Sequence, residues 1–357
     1  MVHSMTNHTR RVVAGVDAHT DEHHVAVLDA QGRLLGAAAF PTSSDGYARL
    51  IEWLQQHGQV VRIGVESTGA YAAGLVRALR AQTIDVVEVN QPHAHAHQRL
   101  GKSDAIDAEL AARAALSGSA KAVPKRTDGI VEAIRQLSIV RAGALKARTA
   151  ALQQLDDLVI TAPQALRDEL SQRRTLKGRA ALCLRLRPDH RRLHEPLQAA
   201  KFALRDLARR VEQLEREADE LDQQLERLVA TAAPRTLALY GVGPQSASQL
   251  LITAGQNITR VRGEAAFARL CGAAPIEASS GRTNRHRLDF GGDRQANRAL
   301  HMVAVVRLRH CEQTQAYAKK RAAEGLSKRD ILRCLKRYIA RQTHATLRDD
   351  LQTLNSA

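Results

Sequence analysis

The chain has 357 residues, 44% of them hydrophobic, which is enough for two or three domains with cores of their own. Its formal net charge of +16 is too extreme for an ordinary enzyme of small metabolites and points to a polyanionic partner. Aromatic residues make up only 3%, which argues against folds that bind single strands by stacking bases and favours duplex backbone or structured RNA. The charge is unevenly placed: residues 1–120 carry ten Lys and Arg against twelve Asp and Glu, net −2, so the remainder carries +18. The electrostatic grip on phosphates therefore lies in the later segments. The four cysteines, Cys183, Cys271, Cys311 and Cys334, have no CxxC spacing, so neither a zinc knuckle nor a disulfide framework is expected, and a reducing cytoplasm fits. The N-terminus MVHSMTNHTRR lacks an apolar signal core and no apolar run has the length to span a bilayer. A cytoplasmic protein without a membrane partner is expected.

From Arg11, RVVAGVDAH and HHVAVLDAQGRLLGAAAF read as three consecutive strands with a turn at residues 30–32. SerSerAspGly at 43–46 opens a helix, with Ser44 or Asp45 as its expected cap and Leu50, Ile51, Trp53 and Leu54 on its buried face. QVVRIGVES is a fourth strand, residues 69–81 a helix, IDVVEVN a fifth strand, and SDAIDAELAARAALSG a helix ended at Gly118. After a linker around Pro124, a long helix runs over 129–163, followed by a basic connector from Arg173 through Arg192. Then Leu197, Ala200, Leu204, Leu207, Val211, Leu214, Ala218, Leu221, Leu225 and Leu228 recur three and four apart, a heptad seam. Its partner is either the preceding helix, as an internal antiparallel hairpin, or another chain. The seam ends at AlaAlaPro 232–234, where a final, mainly helical domain begins. The divisions are thus 1–120, 129–230 and 235–345.

Magnesium takes oxygen ligands in near-octahedral geometry, so a phosphoryl-transfer site needs carboxylates converging from several elements. Asp17 ends the first strand and Glu66 the fourth, inside Val-rich runs where a charge is costly unless paired or metal-bound. Asp104 and Asp107 lie three apart at the start of a helix and share a face, although Asp104 also suits a helix cap. This placement, with the strand and helix order, is similar to that of ribonuclease H-like and RuvC-like nucleases. HisAlaHisAlaHis at 93–97 would place three imidazoles on one strand face, but solvated histidines near a strand end account for it as well. Ser67 and Thr68 are expected to shape the turn after Glu66.

In the last domain, Gly241 and Gly243 in LeuTyrGlyValGlyProGln suit a helix-hairpin-helix turn whose amides donate to phosphate, or a simple glycine turn. IleGluAlaSerSerGly at 276–281 sets hydroxyls close in sequence to Arg282, Arg285, Arg287, Arg294 and Arg298, an electropositive setting for attack on phosphorus, although such a stretch is also an ordinary loop.

Taken together, ValAspAlaHis, ValGluSerThrGlyAlaTyr, LysSerAspAlaIleAspAla, GlyValGlyPro, CysGlyAlaAlaPro to SerSerGlyArg, and GlyGlyAspArgGlnAlaAsnArgAlaLeu resemble the DEDD insertion-sequence transposases, the bridge-RNA-guided class related to the pilin-gene invertase. The resemblance covers essentially the whole chain in order. It implies an acid tetrad at Asp17, Glu66, Asp104 and Asp107 that binds Mg2+, and a serine, five residues after Pro275, that forms a covalent phosphoserine link to DNA: Ser280, with Ser279 adjacent. It also implies donor and target DNA, a noncoding guide RNA, and a homo-oligomer, dimer or tetramer, as partners. The competing readings are a RuvC-like Holliday-junction nuclease, which would leave no protein-linked product, and a non-catalytic nucleic-acid scaffold.

Overall fold

The computed structural model describes residues 10–90, 103–281, 286–287 and 289–356. The histidine run at 93–97, Arg282 and Arg285 lie outside the described residues. The chain divides into two compact units, residues 1–129 with 255–262, and residues 130–254 with 263–357.

The first unit is built from β1 (Arg11–Ala18), β2 (Glu22–Asp29), β3 (Leu34–Pro41), α1 (Ser44–His57), β4 (Gln59–Val65), α2 (Ala73–Ala81), β5 (Val86–Glu88) and α3 (Asp104–Leu116). The strands form one sheet in the order β3-β2-β1-β4-β5, antiparallel from β3 to β1 and parallel from β1 to β5. The β2–β3 turn is held by the Asp29 carboxylate, which accepts from the amides of Gln31 and Arg33 at 2.9 Å, with Gly32 at φ +79°. Ser43 caps α1 by accepting from the Gly46 amide at 3.1 Å. The period of two divides β1 between two cores. Val12, Ala14 and Val16 pack with Leu50, Leu54, Leu75 and Leu79 of α1 and α2, while Val13 packs with Val87 and Ala115 toward α3. Gly15 and Asp17 share the α3 side with Val13.

Helix α3 reaches the sheet at backbone contact distance. Gly15 of β1 and Gly64 of β4 are register partners. A Cβ on Gly15 would lie 2.1 Å from the Ala108 carbonyl oxygen, and one on Gly64 2.4 Å from the Ala111 oxygen. The helix answers with alanines at 108, 111, 112 and 115, so two backbones approach where larger side chains would hold them apart. The linker returns to this unit: Arg80 donates to the Pro124 carbonyl at 2.8 Å, and Asn257 accepts from the Arg126 amide at 2.9 Å while donating to Pro124 at 2.8 Å.

The second unit contains α4 (Ile130–Thr161), α5 (Gln164–Ser171), α6 (Leu176–Cys183), α7 (Pro196–Ala232), α8 (Pro234–Leu237), α9 (Pro244–Ala254), α10 (Glu264–Leu270), a ribbon of β6 (Ile276–Glu277) and β7 (His286–Arg287), α11 (Arg294–His310), α12 (Glu312–Ala323) and α13 (Lys328–Ser356). Helices α4 and α7 pack on each other within the chain. Ala151, Leu155 and Val159 share a core with Leu204, Leu207 and Val211, and Arg141 bridges to Asp222 at 2.9 Å. Of the two partners open to the heptad seam, the structure therefore takes the internal one for Leu204, Leu207, Val211, Ala218 and Leu225, which are buried. The basic connector folds as well: Ala180, Cys183 and Leu186 seal the end of this helical pair.

The start of α8 is fixed from the last helix of the chain. Asp350 of α13, buried, accepts from the amides of Arg235 and Thr236 at 3.0 Å and from the Thr236 hydroxyl at 2.9 Å, satisfying the open N–H groups at the start of α8. Asp350→Ala strands those donors and should cost about 2–3 kcal/mol, seen as a lowered urea midpoint with unchanged slope. A midpoint equal to wild type would show that the carboxylate is dispensable.

Candidate catalytic site

Because α3 sits so close to the sheet, its first turn delivers carboxylates to the end of β1. Ser103 is the helix cap, accepting from the Ile106 amide at 3.4 Å, which leaves the Asp104 carboxylate available to the sheet. Asp17 is only 8% exposed. His19, one residue past the end of β1, places Nε2 3.0 Å from Asp17 Oδ2 and 3.6 Å from Asp104 Oδ1. His24, the register partner of Asp17 on β2, places Nε2 3.4 Å from Asp104 Oδ2 and 3.2 Å from Glu22. Ligand atoms of Asp17, His19 and Asp104 all lie within 4.8 Å of one another. Glu66 follows β4, and its amide donates to the Val16 carbonyl at 3.1 Å, which sets it beside Asp17 in the sheet. Asp107 is buried on the first turn of α3. Neither Glu66 nor Asp107 belongs to the tight group of three. The turn after Glu66 is shaped as its sequence suggests. Ser67 takes φ +51°, and the buried Thr68 hydroxyl donates to Glu88 at 2.8 Å.

Ser279 and Ser280 are presented differently, on an exposed stretch above a hydrogen-bonded base. Gly272 (φ +62°) abuts the GlyGlyAspArg stretch, where a Cβ on Gly292 would lie 2.2 Å from the Gly272 nitrogen. Asp293 caps α11 through the amides of Gln295 and Ala296 at 2.8 and 3.2 Å, and its other oxygen accepts from Thr253 at 2.7 Å. Asn297 donates to the Gly272 carbonyl at 2.7 Å and accepts from Lys336 Nζ at 2.8 Å. Beyond that base, Ser279 and Ser280 are exposed on the loop joining β6 to β7. Arg287 on β7, and Arg294 and Arg298 one turn apart on α11, are exposed cations. Gly241 (φ +76°) turns the chain between α8 and α9, and Arg307 holds the turn by donating to the Tyr240 carbonyl at 2.8 Å, while the space around Gly243 is open.

Residues 14–161 match the family model DEDD_Tnp_IS110, described as a transposase, and residues 235–319 match the Transposase IS116/IS110/IS902 family. The chain belongs to the IS110-family DEDD transposases. No curated protein matches it. The transposase is therefore a DNA-acting enzyme of an insertion sequence, and among the described residues no helix is long and apolar enough to cross a membrane. His19 and His24 were not singled out from the sequence, yet both touch the acids. The signals were there, in the ValAspAlaHis spacing and in the alternation of GluHisHisVal.

Carboxylates at the spacing of Asp17 and Asp104 repel by about 1–3 kcal/mol at effective dielectrics between those of water and of a protein surface. A divalent cation would remove that repulsion. Asp17→Asn should therefore raise the melting temperature in chelator and abolish the further rise that millimolar Mg2+ gives the wild type. An equal Mg2+ response in both proteins would separate Asp17 from the metal site.

Proposed function

We propose that the transposase cuts and rejoins DNA through a covalent link at Ser280, with Mg2+ held by Asp17, Glu66, Asp104 and Asp107 and a noncoding RNA choosing the DNA partners. The observation that carries the acidic half is the buried Asp17 beside Asp104, at the end of a sheet whose strand order and closing helix support a ribonuclease H-like reading. The donors fit a hard divalent ion. Among the described residues the ion-pair partner of Asp17 is an imidazole rather than Lys or Arg, so its negative charge is left for a cation to meet. Bound there, the ion supplies Lewis-acid stabilisation of charge developing on phosphoryl oxygen.

The chain's own groups do the rest. The Ser280 oxygen forms the new bond to phosphorus, the deoxyribose oxygen leaves, and the proton lost by the serine hydroxyl ends on that leaving oxygen. The phosphodiester energy is kept in the protein ester, and the reverse attack by a new DNA hydroxyl rejoins the strand. Arg287, Arg294 and Arg298, with Arg282 and Arg285, bind flanking phosphates, and the Gly241–Gly243 turn offers backbone amides to the same backbone in a helix-hairpin-helix manner. The working division is an acid-bearing domain at 1–120, a coiled-coil and connector at 129–230 and a serine domain at 235–345. Assembly into a dimer or tetramer would use the helical pair, on which Ile139, Val140 and Ile160 remain exposed.

The test is to trap the reaction on labelled donor DNA in the presence of the element's flanking RNA and look for a protease-sensitive, slow-migrating species. Wild type and Ser279→Ala should form it, Ser280→Ala should not, and Asp17→Asn should lose it while still binding DNA. Strand cleavage with no protein-linked DNA in any variant would replace this reading with a hydrolytic nuclease.

A further inference from the structure

Beside the serine loop, the 272–275 segment, β7, α12 and α13 enclose a cavity of about 910 Å³, in the size range of ligand pockets. Its wall is strongly basic: Arg287, Lys320, Arg321, Arg333, Lys336 and Arg337 face only Glu324 and Asp330 there. Arg333 pairs with Asp330 at 3.1 Å, Arg337 with Glu264 at 3.2 Å and Arg321 with Glu324. Arg287, Lys320 and Lys336 have no carboxylate partner among the described residues, and the buried Arg321 Nε and Arg337 Nη1 have no hydrogen-bond acceptor among them. Lys336 is only 7% exposed, with the neutral amide of Asn297 as its partner. Burial, then the charge of Arg333, pushes its pKa down. A wall with two exposed cations lacking a carboxylate partner and two buried guanidinium N–H groups lacking an acceptor suits an anion.

Phosphate alone does not account for the rest of the lining. Of ten aromatic residues in the chain, Tyr317 and Tyr338 lie together in this cavity, edge to face with centroids 5.7 Å apart. Tyr338 is 50% exposed, and burial pushes the Tyr317 hydroxyl up to about 12, so that it stays a neutral donor. In a paired duplex the base faces are covered by their neighbours and would leave such a platform unused, whereas an unpaired base offers a face to stack. We propose that this cavity receives one unpaired nucleotide of the DNA substrate, its base against Tyr338 and its phosphates on Lys320, Lys336 and Arg287. DNA is favoured over RNA because Gly272, Ala273 and Pro275, the base of the serine loop, form part of the same wall, and a second basic cavity of about 680 Å³ continues through Arg287 and Arg333 to Ala278. The proposal rests on the reading that the serine loop meets DNA, and it concerns the nucleotide flanking the cut.

The test uses the full chain and short DNA duplexes carrying one 2-aminopurine, either paired with thymine or placed opposite an abasic site, with an RNA duplex of the same design. Wild type and Tyr338→Phe should quench the unpaired base and bind its duplex about tenfold more tightly than the paired one, the scale of one base–aromatic stack. Tyr338→Ala should lose the quenching and the preference while keeping its affinity for the paired duplex, and Lys320→Gln should weaken binding to both. Equal binding of paired and unpaired duplexes by wild type, a preference surviving in Tyr338→Ala, or a preference confined to RNA would each overturn the proposal. No cleavage enters these readouts, so their failure is separate from failure of the phosphoserine reading.

Discussion

Helix α3 can lie against the middle of the sheet because Gly15 and Gly64, neighbours across β1 and β4, carry no side chain, and because the helix meets them with alanines. The acidic site follows from that contact. A helix held off by ordinary side chains would sit about 10 Å from the sheet, and its first turn would be out of reach of a strand residue. Here Asp104 shares an imidazole with Asp17, and Asp107 is buried on the same first turn of α3. The same two glycines occupy the face of the sheet that carries Asp17, while the opposite face spends its valines on α1 and α2. One sheet thus holds a hydrocarbon core on one side and a charged site at the end of the other.

Charge is divided along the chain in the way the chemistry requires. The first 120 residues are net −2 although the protein is +16, so the acids stand in a segment that carries no surplus of Lys and Arg of its own. Carboxylates paired with arginine would have little reason to take up a cation, and Asp17 and Asp104 instead have histidines around them. The basic half shows the complementary arrangement. There the carboxylates are employed in structure: Asp293 caps α11, Asp350 caps α8, and Asp222 braces the helical pair. Near the serine loop, Arg287 and Lys320 stand without a carboxylate partner among the described residues.

Much of this was legible in the sequence because its determinants are local. Valine runs with period two gave the strands and Gly118 a helix end, and acids at a strand end and a helix start picked out Asp17 and Asp104, which the fold brings together; the α1 cap lies earlier than expected, Ser43 rather than Ser44 or Asp45 accepting from the Gly46 amide. Helix α4 and the long α7 were readable for the same reason. The partner of the α7 seam was not, because leucines three and four apart state only that something covers them; the covering residues, Ala151, Leu155 and Val159, are about fifty residues away. Contacts between distant segments were equally hidden. Nothing in the neighbourhood of Asn297 announces that Lys336 will hydrogen-bond to it and so help fix the base of the serine loop, and Asp350 gives no local sign that it caps a helix 114 residues earlier. His19 and His24 were missed for another reason: histidine on a strand is chemically ambiguous until the register shows what stands opposite it.

A divalent ion held where α3 meets the end of β1, as proposed for Mg2+, would be located directly by Mn2+ as a paramagnetic substitute. In a spectrum of the fifteen histidine imidazoles, with His19 and His24 assigned from His→Gln variants, substoichiometric Mn2+ should broaden those two resonances before the others, and Asp104→Asn should remove the selectivity. Broadening that is uniform, or that stays centred on other histidines, would contradict the account.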